Sequence, residues 1–181
     1  MKKVLPLLAD VGHGILAVLS VGLLLEVSLS WHFFVGVLIA LLPDVDAIPR
    51  LFRTGSVMPT TEDPLDHRDY LHFPVLFIIF GIILCAGSLF WGLVFIVATV
   101  LHFLNDTWGT GDGIMWLWPL SRKKYKWSKI DTWKWDFYTN VAKNEKDEWI
   151  NASYLQITSI SIIEYTTFIV AVLFLVLYLL S

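Results

Sequence analysis

Two stretches of this chain, Phe73–Ala86 and Leu89–Leu101, contain no charged residue, and a third, Ile162–Leu180, contains only Glu164. Apolar residues here come in runs rather than at the spacing of a half-buried helix or strand, which is how helices surrounded by lipid or by one another are written. Composition agrees: of 181 residues 56% are hydrophobic and 16% charged, whereas an ordinary soluble chain has about 25% charged residues. The predicted fold is an all-α, polytopic integral membrane bundle forming a single domain.

Five hydrophobic helices are expected, at about Val4–Leu25, Leu29–Leu42, Tyr70–Ala86, Leu89–Asn105 and Ile160–Leu180. The second is stopped by Pro43 and reaches only about 21 Å against the ~30 Å hydrocarbon layer. The residues just after Pro43 are expected to lie within the membrane, shielded by the other helices. The opening Met1-Lys2-Lys3 and apolar stretch resemble a signal peptide, but Asp10, His13 and Glu26 within it favour a retained first helix. With the N-terminus in the cytoplasm, Lys2 and Lys3 lie inside. So do the three arginines of the second loop, Arg50, Arg53 and Arg68, and the eight basic residues from Arg122 to Lys146. All thirteen Lys and Arg then share one side, as the positive-inside rule requires. This topology puts the C-terminus outside.

The segment Asp106–Gln156 holds seven of the nine tryptophans, interleaved with Lys123, Lys124, Lys126, Lys129 and Lys134. Aromatic rings with lysines suit the headgroup level of a bilayer. From Asp131, Trp133, Phe137 and Val141 recur on one helical face, an amphipathic interfacial segment. The lipid bilayer is therefore the expected partner, in preference to nucleic acid. A lone Cys85 inside an apolar run is read as a small packing residue.

The topology collects chemistry on one side. His13, His67, His72 and His102, with Asp44, Asp46 and Asp106, all fall at cytoplasmic helix ends or loops. His102 and Asp106 are four apart and share a helical face, a nitrogen–oxygen pair that can grip a divalent metal. Pro43-Asp44-Val45-Asp46 presents two carboxylates just after a helix stop. His67 and His72 are five apart, about 140° around an ideal helix, so they cannot face one point from a regular helix. His67 is taken as a ligand, and His72 as a proton donor or additional ligand. Taken singly, each group has a bland reading: His13 as helix packing, Asp44 and Asp46 as a solvated turn, His102 and Asp106 as a hydrogen-bonded helix end. Together they do not, because each ionisable group in a membrane helix costs roughly 2.5–3.5 kcal/mol on insertion scales. A divalent metal would offset that cost by neutralising the aspartates.

The order of these motifs resembles the YdjM-like family of inner-membrane, metal-dependent hydrolases. Its early His corresponds to His13, its PDxD segment to Pro43-Asp44-Val45-Asp46, and its HRGxTHS-like segment to His67–His72. Its HxxxD corresponds to His102–Asp106, with Gly113 and the Trp118-Pro119 pair after it. The likeness covers about residues 9–135. Ala47 stands where a His often comes after PDxD, and Asp69, Leu71 and Phe73 replace Gly, Thr and Ser. A more distant likeness is to the ligand order of zinc-dependent phospholipase C, without its further HxxxE pair. These resemblances imply one or two zinc ions, with Mn or Mg as alternatives, held by His13, Asp44, Asp46, His67, His102 and Asp106.

The expected function is a metal-dependent hydrolase at the cytoplasmic membrane face, acting on a phosphoester, a phospholipid or another lipid-linked phosphate. Arg68 would balance the charge of an anionic substrate and His72 would protonate the leaving group. The alternative is non-enzymatic: a metal-stabilised scaffold or a small ion transporter. A transporter needs a path to the far side, where only Glu26, His32 and Glu164 are available.

Overall fold

The computed structural model describes residues 5, 7–54, 71–108, 113–126 and 155–181. His67, Arg68 and most of the lysine–tryptophan segment, including the helix expected after Asp131, lie outside the described residues. Six α-helices are present among the described residues: α1 (Leu8–Leu24), α2 (His32–Ala40), α3 (Ala47–Thr54), α4 (Pro74–Gly87), α5 (Leu89–Trp108) and α6 (Ser159–Leu180). A short 3₁₀ turn, Pro43–Asp46, joins α2 to α3. Among the described residues there is no strand, only an isolated antiparallel bridge between Ile114 and Tyr125. The all-helical membrane architecture is as expected.

By length and hydropathy, α5 and α6 can each cross a membrane, and the bent pair formed by α2 and residues 43–49, kinked by 51°, can make a third span. α1 and α4 are shorter apolar helices. Pro43 accounts for the kink, since it cannot continue the hydrogen-bond ladder of α2. At the start of α4 a second proline acts differently. Pro74 occupies the first helical position, which its fixed φ favours, and it forces Phe73 before it into extended backbone, with φ −114° and ψ 90°. The helix expected from Tyr70 therefore begins at Pro74, and His72 stands outside it. α6 starts with a reciprocal capping box between Thr158 and Ser161. At Ser88 the backbone is extended between α4 and α5, so the two fold against each other as an antiparallel hairpin.

Glycines set how closely these helices approach. A Cβ on Gly14 would lie 2.5 Å from the Val37 Cα and 2.6 Å from the Gly36 carbonyl carbon, so α1 and α2 touch backbone to backbone. On the other side of α1, a Cβ on Gly12 would meet the Phe168 Cα of α6 at 3.1 Å. Small residues permitting such contact are how helices pack where lipid removes the hydrophobic drive. Cys85 fills the same role in the α4–α5 hairpin, lying against Gly92. Around these contacts Val18, Leu19, Val21, Phe90, Val94, Ala98 and Ala171 form a buried core. α1 is thus clamped between α2 and α6, and α5 packs across α1, α2 and α4.

Candidate metal centre

Three chain segments bring their ends to one point. α2 ends before Pro43, and the 3₁₀ turn that follows it carries Asp44 and Asp46. The extended Leu71–Phe73 strip before α4 carries His72, and the last turns of α5 carry His102 and Asp106. The result is a group of four, Asp44, His72, His102 and Asp106, whose ligand atoms all lie within 4.8 Å of one another. The side chains of His72 and His102 are 0% and 2% exposed, that of Asp106 is 12% and that of Asp44 is 28%. The partial exposure of Asp44 makes its side the open edge of the cluster.

The distances are those of a ligand set. His72 Nε2 is 3.4 Å from Asp44 Oδ1 and 3.3 Å from Asp106 Oδ2. His102 Nε2 is 3.3 Å from Asp106 Oδ2 and 3.7 Å from Asp44 Oδ1. A tetrahedral zinc bonded at about 2.0–2.1 Å needs donors roughly 3.3 Å apart. Both imidazoles turn the same nitrogen, Nε2, toward the shared point, and the buried His102 Nε2 makes no hydrogen bond. Two imidazoles and two carboxylates form a borderline nitrogen–oxygen set that zinc accepts and that manganese also accepts. The residues present fit a divalent ion.

Behind each imidazole is a carboxylate. Asp46 Oδ2 lies 3.3 Å from His72 Nδ1 and accepts the backbone N–H of Leu71 at 3.1 Å. Asp10 Oδ1 accepts from His102 Nδ1 at 2.8 Å, both groups being buried. Burial alone would lower the pKa of His72, but Asp106, Asp44 and Asp46 around it outweigh that and raise it from 6.5 to about 10. A cation at this spot is therefore strongly favoured, whether a proton or a metal ion.

Several expected residues fall elsewhere. His13 does not share the four-residue group; its Nδ1 is 3.4 Å from Asp10 Oδ1. Asp46 faces the outer nitrogen of His72 rather than the shared point. His72 joins the group itself, because Pro74 releases it from the helix whose geometry would have turned it away. His67 and Arg68 lie outside the described residues. Asp10 is the residue that sequence reasoning misses, since there it counts only as a sign that the first helix is retained. A signal exists nonetheless: a carboxylate among apolar residues in a membrane helix demands a partner.

A wall stands beside the cluster. The chain after α5 turns back at Gly113, whose φ of +79° suits glycine, and pairs Ile114 with Tyr125 through two backbone hydrogen bonds of 3.0 and 2.9 Å. Within this hairpin, Trp116 Nε1 donates to Thr107 Oγ1 at 2.7 Å. Trp118 stacks on Phe73 with ring centroids 4.4 Å apart. The two tryptophans are thus tied to the residues next in the chain after Asp106 and His72.

No curated protein and no solved structure matches this chain. A family model described as "YdjM inner membrane protein" matches residues 8–181. The match extends beyond residue 135, where the motif resemblance ends, and takes in α6, which carries no motif of its own. The PDxD turn, the HxxxD end of α5 and the nearly full-length match together place the chain in the YdjM inner membrane protein family.

Proposed function

We propose that this protein is a membrane-bound metal-dependent hydrolase that cleaves a phosphoester, or another lipid-linked phosphate, at the cytoplasmic face. The observation that carries the reading is the convergence of Asp44, His72, His102 and Asp106 with their ligand atoms within 4.8 Å. These four would hold one divalent ion, zinc first. When bound, the ion supplies Lewis-acid polarisation of a phosphoryl or acyl oxygen. Asp46 holds the His72 ring so that Nε2 faces the centre, and the low exposure of both imidazoles keeps bulk water from their ring faces. Asp44, at the open edge, is the donor nearest to an arriving substrate and the one suited to accept a proton from an attacking nucleophile. Arg68, four residues before His72 in the sequence, is assigned to charge balance on an anionic substrate. The one-sided distribution of basic residues supports a cytoplasmic orientation.

A structural ion is the rival, and one observation favours it: four protein donors can fill a tetrahedral site, whereas catalytic zinc keeps a position open. The exposure of Asp44, 28% against 0% and 2% for the two imidazoles, favours the hydrolase. The deciding experiment measures metal content and hydrolysis on the same purified protein. Activity on a panel of phosphodiesters and phospholipids should disappear with chelator and return with zinc or manganese. Metal retained at one ion per chain, with no hydrolysis across the panel, would leave the structural ion as the function of the site.

A further inference from the structure

We infer that Asp10 is the positioning residue for His102, and that His13 flanks Asp10 rather than holding an ion. This inference rests on the metal-centre reading above. It begins from burial. Asp10 is 4% exposed in the first turns of a membrane helix, where a carboxylate is expensive unless paired. Its Oδ1 lies 2.8 Å from His102 Nδ1, the length of a charge-assisted hydrogen bond. A carboxylate can only accept there, so the proton of the ring sits on Nδ1. The lone pair is then on Nε2, the nitrogen that faces Asp44 and Asp106. Imidazole ligands to metals are commonly oriented by such an outer carboxylate, which fixes tautomer and ring angle together.

Two further observations make this more than a helix-packing contact. His72 is held the same way, with Asp46 on Nδ1 and Nε2 inward, so the two rings of the centre are oriented by one device used twice. Moreover, α1 cannot drift away from His102, because Gly12 and Gly14, within about one turn of Asp10, meet α6 and α2 backbone to backbone. His13 lies three residues from Asp10 on the same helix, with its Nδ1 3.4 Å from the same Oδ1. This is a contact by proximity, since His13 Nδ1 makes no hydrogen bond, and it leaves His13 flanking the oxygen that already serves His102.

The test compares full-length wild type with Asp10→Ala, Asp10→Asn and His13→Ala in detergent. Zinc affinity is read by competition with a chromophoric chelator, and the His102 ring by ¹⁵N NMR, its signals assigned through their loss in His102→Ala. Asp10→Ala should weaken zinc binding about 10–100-fold and remove the single Nδ1–H tautomer signature of His102. Asp10→Asn, which preserves volume, should alter the same signature and carries the comparison if the alanine variant fails to fold. His13→Ala should keep one zinc per chain. Wild-type zinc affinity in both Asp10 variants would overturn the inference while leaving the metal centre intact. Weakened binding with an unchanged His102 signature would overturn it too, marking Asp10 as merely structural. Loss of zinc stoichiometry in His13→Ala would restore His13 as a ligand, and a wild type that binds no zinc would refute the metal centre itself.

Discussion

Adding one methyl group at Gly14 should do more damage than the same addition at Gly12 or Gly87, and the amount can be worked out. An alanine there places Cβ 2.5 Å from both the N and Cα of Val37 and 2.6 Å from the carbonyl carbon of Gly36. Ordinary carbon contacts lie at about 3.5–4.0 Å, so α1 and α2 must part by about 1 Å. All three obstacles are backbone atoms, and no rotamer change can relieve them. Overpacking of this kind costs about 1–3 kcal/mol, and rigid obstacles put Gly14→Ala toward the upper end. At Gly12 the nearest atom is 3.1 Å away, which a few tenths of an ångström relieve. At Gly87 nothing lies within 4 Å, so alanine there should be neutral or stabilising by about 0.4–1 kcal/mol through the unfolded state. Thermal unfolding in one detergent should therefore rank Gly87→Ala above Gly12→Ala above Gly14→Ala. Because α2 runs directly into Asp44, the Gly14 variant should also lose zinc affinity. If Gly14→Ala and Gly87→Ala unfold at the same temperature, the backbone contact between α1 and α2 is wrong.

Asp46→Ala should weaken zinc binding about 10–100-fold, because it removes the partner of His72 Nδ1 and of the Leu71 N–H while sparing the four donors; unchanged affinity by chelator competition would contradict the orienting role. The raised pKa of His72, about 10 against 6.5, has a definite sign. In chelator-stripped protein its stabilisation is complete below about pH 6.5 and fades as pH rises toward about 10, so the melting temperature should fall over that window in wild type and much less in His72→Gln. Reporter fusions at Gly87 and Ser181 should register the outside, and fusions within residues 123–146 the cytoplasm; a cytoplasmic C-terminus would mean one crossing fewer and undo the one-sided placement of the basic residues.

Composition and local chemistry made part of this molecule legible in its sequence. The charge-free runs locate α4 and α5, Glu164 does not obscure α6, and Pro43 marks the break that leaves Asp44 and Asp46 at a helix end. The spacing of His102 and Asp106 puts both on one face of α5, where the structure has them. His72 is harder because two rules compete. The polar cluster 66–72 looks like the beginning of a helix, whereas proline's preference for the first helical position sets the start at Pro74, and only the second releases the ring. Asp10 is illegible for another reason. Whether it faces lipid, α6 or His102 depends on the rotation of α1 about its own axis, and that rotation is fixed by Gly12 and Gly14 meeting α6 and α2. Periodicity carries little of this in a helix that is apolar on every side.

The hairpin between Gly113 and Lys126 gives the centre a voice of its own. Trp116 hangs from the residue after Asp106, and Trp118 lies flat on the residue after His72. Asp106 and His72 would both hold the ion, so binding would bear on the Thr107 bond of Trp116 and on the overlap of Trp118 with Phe73, and through them on the surroundings of two indoles. Zinc added to chelator-stripped protein should therefore change the intrinsic tryptophan emission, without any attached dye, and an unchanged spectrum on saturation would refute the link.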